Sequence, residues 1–244
     1  MSQPRLHVLL RKEELDPNRI GRAVAVVIDV LFATSTIAAV LAHGATAVIP
    51  VLDQEEGLRV ARDHPEALLA GEKDSDLIPG FGPPTPLALL EVGVRGKEII
   101  YSTTNGTVAS RLAEGARAVY AASLLNTTAV VDHLLEHHRD ETVVLICAGS
   151  GGRFNLEDFV GAGLLAGRLL ELGPWRPTDA ALAAMGLFAN RRYRPEDWLF
   201  SSAIGRMVSR RGFEAEVRYA AVGGPFQVVP VLRQGRFVPT GSAH

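Results

Sequence analysis

The chain has 244 residues, of which 47% are hydrophobic and 21% charged, and its formal net charge is −2. This composition is typical of a globular protein, and without a basic excess it gives no sign of a nucleic-acid partner. Cys147 is the only cysteine, so no intrachain disulfide can form, and no apolar run reaches the ~18 residues of a membrane span. Because no signal peptide is recognisable at the start, we expect a cytoplasmic protein.

The first regular pattern begins at residue 23. Residues 23–28 are a continuous apolar run, typical of a strand that is buried on both faces. Small and helix-favouring residues follow at 35–42, and Gly44 can take the left-handed conformation that ends a helix. A second strand is predicted at 47–51. The segment therefore predicts a strand, a loop, a helix and another strand.

The same layout recurs along the chain. In residues 98–123, Gly115 takes the place that Gly44 holds in the first unit, and a partial third copy starts with a strand at 142–147. Either an internal duplication or the loose similarity common in α/β proteins explains the repeats. In both cases the alternation predicts one α/β domain over residues 1–244. Its expected form is a three-layer α/β/α arrangement with a parallel or mixed central sheet.

The segment at 68–90 interrupts this alternation. It contains four prolines and three glycines, and it predicts a long, rigid loop. The later predictions are, in chain order, helices at 177–190 and 195–211, a C-terminal β-hairpin at 226–239 that turns at Gln234-Gly235, and a frayed tail at 240–244.

Three loops rich in Ser, Thr, Asn and Gly follow predicted strands and open predicted helices. Free N–H groups and the helix dipole favour anions there, and ligands of open α/β sheets bind at this edge. If neighbouring strands carry the loops, they converge on one anion. The anion-binding candidates are then Thr34, Ser35, Thr36, Thr103, Thr104, Asn105, Gly106, Thr107, Ser150, Gly151 and Gly152. The alternative is that the loops hold only helix caps and turn residues.

Four acids stand at the same edge. Asp29 ends the first predicted strand, Glu72 ends a later apolar run, and Glu157 and Asp158 open the helix after the third loop. Carboxylates at separate strand ends suit Mg²⁺, which takes oxygen ligands and often shares them with a phosphate, so all four are metal-ligand candidates. For Glu157 and Asp158 the alternative is a simple interaction with the helix dipole. A lone Asp29 beside a buried run needs a partner, since burying an unpaired charge costs on the order of several kcal/mol.

The catalytic candidates are Asp29, Glu72 and Cys147. Cys147 ends a predicted strand beside the third loop, and a helix amino terminus lowers the pKa of a thiol. The alternative is that Cys147 is a small buried hydrophobic residue.

Four motifs, "VIDVLFATSTIAAVLAHGA", "AGEKDSDLIPGFGPPTP", "STTNGT" and "CAGSGGRFNLED", occur in this order. Together they resemble the motif series of the 2-phosphosulfolactate phosphatase family over residues 24–232. The resemblance implies Mg²⁺-dependent removal of phosphate from 2-phospho-3-sulfolactate to give 3-sulfolactate, a step in coenzyme M biosynthesis. The site that it implies comprises Asp29, Thr34, Ser35, Thr36, Glu72, Thr104, Asn105, Gly106, Thr107, Glu157 and Asp158.

This chain departs from the family pattern at several positions, among them Pro84-Thr85-Pro86, which stands where the family has Asn-Ser-Pro. Phe32 and Lys73 stand where the family has arginine, and Gly82 stands where it has aspartate. Arginine grips a phosphate or sulfonate with two parallel hydrogen bonds, whereas lysine acts as a point charge. Lys73 is therefore the phosphate-binding candidate of its segment.

Two main functional hypotheses follow. The first is a metal-assisted phosphatase that acts on a small anionic phosphorylated substrate. The alternative is a divergent non-catalytic small-anion-binding protein of the same fold, which Phe32 and Gly82 favour. A third hypothesis, a nucleotide-cofactor enzyme, needs an adenine pocket. No membrane partner is expected, and the Gly- and Ala-rich stretch "VGAGLLAGRLL" leaves a homodimer open.

Overall fold

A computed structural model describes residues 3–189 and 194–241 of the chain. The strands are β1 (Arg5–Leu9), β2 (Val24–Ile28), β3 (Ala47–Val51), β4 (Leu68–Lys73), β5 (Asp76–Leu77), β6 (Glu98–Ser102), β7 (Ala118–Ala122), β8 (Val143–Cys147), β9 (Arg176–Pro177), β10 (Pro230–Arg233) and β11 (Arg236–Pro239). The helices are α1 (Ala33–Ala42), α2 (Gln54–Ala61), α3 (Pro86–Val92), α4 (Gly106–Leu112), α5 (Thr127–His137), α6 (Leu156–Leu172), α7 (Asp179–Ala189), α8 (Pro195–Ser201), α9 (Ala203–Arg210) and α10 (Glu214–Ala220).

The strands join in one mixed sheet, in the order β5-β4-β6-β3-β11-β10-β7-β2-β8-β1-β9. Strands β4, β6 and β3 are parallel on one side, and β7, β2, β8 and β1 are parallel on the other. The antiparallel hairpin β10–β11 lies between the two groups and pairs with β7 and β3. The predicted α/β class with a mixed central sheet is confirmed, whereas the single-domain organisation stays a prediction.

Both faces of strand β2 are covered by helices. On one face Val24, Val26 and Ile28 belong to a core cluster with residues of α5 and α6, and on the other Ala25 and Val27 pack with residues of α4. All five residues of the strand are buried. The prediction of a strand buried on both faces is therefore confirmed, and the reason is the continuous apolar run that suits a parallel sheet.

Helix α1 is buried along nearly its whole length. Ile37 and Val40 pack in a core cluster with residues of β3, β6, β11 and α3. The helix ends at His43, and Gly44 follows with φ +94, the left-handed conformation that glycine adopts without a steric penalty. The predicted stop at this glycine is confirmed.

The prediction of a long loop at 68–90 is wrong, because this segment contains strand β4, strand β5 and helix α3. Gly71 lies against the Ser102 carbonyl of β6, so the glycine permits close pairing of the strands. Pro86 occupies the first turn of α3, where its missing N–H is not needed. The prolines and glycines therefore mark element ends and a close approach.

The helix predicted at 195–211 is two helices, α8 and α9, separated at Ser202. This residue is extended, with φ −68 and ψ 161, and its hydroxyl accepts a hydrogen bond from Gly205 N at 2.9 Å. Ser202 therefore caps α9, an interaction that competes with helix continuation. The helix predicted at 177–190 corresponds to α7, although Asn190 lies outside the described residues.

The C-terminal hairpin is confirmed, and it turns at Gln234 and Gly235, with φ +50 and +76. The frayed tail predicted at 240–244 lies partly outside the described residues, which end at Gly241. In the part of the chain that the structure describes, no helix combines the length and the apolar character needed to cross a membrane.

Candidate active site

A cavity of about 500 Å³ opens at the carboxyl ends of β2, β6 and β8. The turn between β4 and β5 forms one wall, and α9 with the residues after it forms the facing wall. The lining residues are Asp29, Leu31, Phe32, Ala33, Glu72, Asp74, Ser75, Leu77, Pro83, Pro84, Thr85, Ala88, Tyr101, Thr103, Thr104, Asn105, Ser150, Gly151, Ile204, Met207, Val208, Arg211 and Phe213. The cavity therefore joins all three predicted loops.

Asp29 is the acid at the base of this cavity. It follows β2 directly, and its side chain is 8% exposed. Ala33 N donates to its Oδ1 at 3.3 Å. Burial and the negative charges of Glu72 and Glu157 raise the pKa of Asp29 to about 7, against the opposing effects of the Ala33 N–H and the Lys12 ammonium. A carboxyl with this pKa exchanges protons near neutral pH.

The hydroxyls of Thr34, Ser35 and Thr36 do not line the cavity. Each is buried and donates to a main-chain carbonyl, namely that of Asp29, Val30 and Pro84, at 2.9, 2.8 and 3.0 Å. These bonds satisfy carbonyls around the first turn of a buried helix. The predicted direct contact of the three hydroxyls with an anion is thus corrected, because Leu31, Phe32 and Ala33 are the parts of this loop on the cavity.

In the loop after β6, Thr103 and Thr107 hold the turn together. Thr107 N donates to Thr103 Oγ1 at 3.1 Å, and Thr107 Oγ1 donates to Thr103 O at 2.9 Å. Thr107 is completely buried. It is thus a structural residue of the loop, whereas Thr103, Thr104 and Asn105 line the cavity.

Gly106 allows this loop to pack closely against the loop after β2. A Cβ atom at this position would lie 2.6 Å from Asp29 Oδ2 and would also overlap Ala33 Cβ. Strands β2 and β6 are not neighbours in the sheet, but α4, which begins at Gly106, packs against both β2 and β3. The loops therefore converge across the inserted hairpin, so the expectation that neighbouring strands carry them is wrong for β6.

In the loop after β8, Ser150 and Gly151 line the cavity. Ser150 Oγ accepts from Asn155 Nδ2 at 2.8 Å and lies 3.5 Å from Asn105 Nδ2. The Gly152 carbonyl accepts a hydrogen bond from the Arg11 guanidinium, so Gly152 anchors the loop from outside the cavity. Of the three predicted residues, two reach the cavity.

Glu72 fixes the loop after β6 by accepting three hydrogen bonds. Its donors are Thr104 N at 2.8 Å, Thr104 Oγ1 at 2.9 Å and Ser75 N at 2.7 Å. Lys73, the next residue, is exposed and lines a neighbouring groove rather than the cavity. Glu72 also lines this groove, so of the two residues only Glu72 reaches the cavity.

Asp158 and Glu157 lie behind the cavity and do not line it. Asp158 accepts from Val30 N at 2.9 Å and Gly149 N at 3.1 Å, so it ties the ends of β2 and β8 together. Both oxygens of Glu157 are buried without a hydrogen-bond partner, since the nearby Ser202 hydroxyl donates to Leu199 O. Burial raises the pKa of both acids, for Asp158 with a further contribution from the Asp29 charge.

Within residues 3–189 and 194–241, no three His, Cys, Asp or Glu side chains form a group that could hold a metal ion. The four acids predicted as one ligand set therefore divide into two pairs. Asp29 and Glu72 face the cavity, and Glu157 and Asp158 stand behind it.

Cys147 is completely buried in the core cluster between β8 and α6. Burial, followed by the charges of Asp158 and other acids, raises the pKa of the thiol well above its usual range. A protonated thiol away from the cavity is no nucleophile. These observations favour the packing role that the sequence left as the alternative.

Two cations at the site were missed in the sequence. Lys12 is 7% exposed, and its Nζ donates to Asn105 Oδ1 at 2.8 Å and to Ala148 O at 3.3 Å. Arg211, just after α9, lines the cavity. Both belong to stretches of mixed charge, "RKEE" and "SRRG", which look like ordinary solvated surface, so no local signal could have identified them.

Of the positions that depart from the family pattern, Phe32 lines the cavity and Gly82 does not. Gly82 N donates to Leu69 O at 2.7 Å, so the residue extends the sheet beside β4. Phe32 adds apolar surface to the cavity, and Pro84 and Thr85, which also depart from the family pattern, line it as well.

The comparisons with known proteins agree with this geometry. A family model described as 2-phosphosulpholactate phosphatase matches residues 9–235. A protein of Symbiobacterium thermophilum, named probable 2-phosphosulfolactate phosphatase, is 44% identical over 223 residues, covering 88% of this chain and 93% of its own. Proteins with the same name from Deinococcus radiodurans and Carboxydothermus hydrogenoformans are each 38% identical, covering 90% and 96% of this chain and 91% and 96% of their own. The chain therefore belongs to the 2-phosphosulpholactate phosphatase family, whose members are phosphoric monoester hydrolases.

Proposed function

We propose that this protein is a Mg²⁺-dependent phosphatase that hydrolyses 2-phospho-3-sulfolactate to 3-sulfolactate and inorganic phosphate. The family membership supports the reaction class and the substrate. The observation that carries the proposal is the position of Asp29, a buried acid at the meeting point of the three loops with a pKa of about 7. In the described part of the chain, its Oδ2 makes no hydrogen bond, so this oxygen is free for a ligand.

The charge on the cavity wall supports a cation requirement. Among the residues that the structure describes, Asp29, Glu72 and Asp74 line the cavity together with a single cation, Arg211. A substrate with phosphate, carboxylate and sulfonate groups would be repelled by such a wall, because like charges repel strongly at short distance in a partly buried site. A divalent cation between wall and substrate removes this conflict.

The residues that fit Mg²⁺ are Asp29 and Glu72. Mg²⁺ usually keeps several waters and takes only one or two carboxylates along with substrate phosphate oxygens, so a site with two facing acids is sufficient. Glu157 and Asp158 are left out of this proposal because neither lines the cavity. When bound, the ion would neutralise negative charge on the phosphoryl group.

The chain's own donors would hold the phosphoryl group. Asn105 and Ser150 face the cavity, and their mutual contact of 3.5 Å is long enough for the Asn105 amide to turn to a ligand. Lys12 donates to Asn105 Oδ1 and would hold this amide in position, while its ammonium is also paired with Glu13 Oε1 at 3.0 Å. Donors fixed in advance in this way stabilise the charge of a phosphoryl-transfer transition state.

The reaction would be attack of water on phosphorus with cleavage of the ester P–O bond. Ionised Asp29 would orient this water and accept its proton, and the oxygen of the departing 3-sulfolactate would take up a proton from Asp29 or solvent, so that the products are the alcohol and inorganic phosphate. Cys147 has no part in the step, because the thiol is buried and protonated. Phe32, Pro83 and Pro84 would shield the reacting group.

Phosphate release from 2-phospho-3-sulfolactate tests this proposal. We expect turnover in Mg²⁺, its loss in EDTA and its return with added Mg²⁺. Asp29→Asn should lower kcat by about 10²- to 10⁴-fold, the usual size of a general acid–base contribution. The control, Asp63→Asn, removes an exposed carboxylate outside the cavity and should leave turnover unchanged. Tight binding of the substrate in calorimetry without phosphate release would refute the proposal and support the non-catalytic binding protein instead.

A further inference from the structure

Arg211, just after α9, lines the cavity. It is the one lysine or arginine among the lining residues in the described part of the chain, and its side chain is 44% exposed. Lys12 is engaged behind Asn105, and Lys73 lines the neighbouring groove. Arg211 is therefore the cation at the mouth of the cavity.

The turn between β4 and β5 holds the guanidinium in place. Arg211 Nη1 donates to Ser75 O at 2.5 Å and lies 3.3 Å from Asp76 Oδ1. Ser75 N in turn donates to Glu72 Oε2 at 2.7 Å. Within the described residues, Nη1 makes both contacts, so the Nε and Nη2 hydrogens of Arg211 remain available to a ligand.

Apart from its contacts with Ser75 and Asp76, Arg211 adjoins an apolar stretch of the cavity wall. Ile204, Met207 and Val208 form the wall next to it, and Phe213 follows two residues later. An anionic group placed against such a wall loses its hydration and needs a cationic partner. A guanidinium meets this need, because its planar set of N–H groups matches two oxygens of a sulfonate as it does those of a phosphate.

We propose that Arg211 binds the sulfonate of the substrate and thereby selects a phosphoester that carries a second strong anion. This inference rests on the proposed function, which puts the phosphate near Asp29, Asn105 and Lys12. The sulfonate then lies toward the mouth, between the β4–β5 turn and α9. In this proposal Arg211 supplies the guanidinium that the family pattern has at the position of Phe32. Its charge would allow a polyanionic ligand to bind beside the apolar wall.

The test compares two substrates that differ only in the sulfonate. The second substrate is 2-phospholactate, which keeps the phosphate and carboxylate but carries a methyl group in place of the sulfonomethyl group. For Arg211→Ala we expect kcat/KM on 2-phospho-3-sulfolactate to fall about 10- to 100-fold, mainly through KM, as for loss of a hydrogen-bonded charge pair. The value on 2-phospholactate should change less than about threefold. Arg211→Lys should restore part of the loss, since it keeps the charge without the planar fork.

The matched control is Arg210→Ala, which removes the same charge from the adjacent exposed position of α9, outside the cavity. This variant should leave kcat/KM unchanged on both substrates. An equal loss on both substrates with Arg211→Ala would refute the inference, because the side chain would then serve the turn or the shared carboxylate. An unchanged kcat/KM of Arg211→Ala on both substrates would also refute the inference. If the wild-type protein hydrolyses neither substrate, the proposed function itself fails, a separate outcome.

Discussion

We expect Gly106→Ala, which adds a single methyl group, to disturb the geometry of the site strongly. The missing side chain of Gly106 lets the loop after β6 rest on Asp29 and Ala33. The added Cβ of Gly106→Ala would lie 2.6 Å from Asp29 Oδ2, whereas a comfortable contact of this kind is about 3.5 Å. One of the two loops must therefore move by roughly 1 Å.

The magnitude follows from two opposing effects. Alanine favours a helix over glycine by about 1 kcal/mol, and Gly106 is the first residue of α4. Overpacking a tight site costs about 1–3 kcal/mol, and here both contacts are with groups that are themselves buried. We expect a net loss of up to about 2 kcal/mol in the free energy of unfolding, or up to about 8 °C in Tm for a protein of this size. Displacement of Asp29 by ~1 Å should lower kcat by about 10²-fold.

Thermal unfolding and phosphate release measure both effects. The control is Gly167→Ala in the middle of α6, where the nearest atom to an added Cβ is Met185 Cγ at an ordinary 3.8 Å. This variant should gain about 0.5–1 kcal/mol and keep full activity. A Gly106→Ala protein as stable and as active as the wild type would show that the two loops do not meet as described.

Three further predictions concern the charges and the thiol. The first is measured by urea unfolding in EDTA. When the pH rises from 5 to 7, the free energy of unfolding of the wild type should fall by about 2 kcal/mol more than that of Asp29→Asn. The folded pKa of about 7 exceeds the unfolded value of 3.8, so the unfolded state ionises first and stability is lost as pH rises; parallel pH profiles would contradict this. Lys12→Met should shift the acidic limb of the kcat/KM profile to higher pH, because the ammonium lowers the pKa of Asp29, and an unmoved limb would refute the coupling. Cys147→Ala should lower the Tm by a few degrees but leave kcat within about twofold of wild type, and an inactive, folded variant would restore the thiol as nucleophile.

The sequence identified the elements whose signal is local. The apolar run of β2, the glycine after α1 and the Gln234-Gly235 turn all correspond to observed features, because each depends on neighbouring residues along the chain. The prediction for residues 68–90 was wrong, because the prolines and glycines of this segment were taken to indicate one long loop. Its strand β4 is stabilised by pairing with β6, a contact with residues far along the chain.

For the site, the sequence found residues at the right edge of the sheet but not their roles. Thr36 illustrates this, since its position at the start of a helix suggested an anion contact, yet its hydroxyl donates to the Pro84 carbonyl. Whether a hydroxyl faces a cavity or a carbonyl depends on which segment packs against it. That information is not local to the motif.

By itself, the sequence determined the alternation of strands and helices, the buried acid after β2 and the loops at strand ends, because periodicity and local backbone preferences are written into adjacent residues. Only the tertiary structure decided that Asp29 and Glu72 share a cavity, that Glu157 and Asp158 do not line it, that Arg211 lines it and that Lys12 contacts its residue Asn105. These side chains come from segments that are far apart along the chain. They are brought together by the sheet, in which the hairpin lies between the two groups of strands, and by α4, which packs against both β2 and β3. Their proximity is a property of long-range packing, which no short stretch of sequence records.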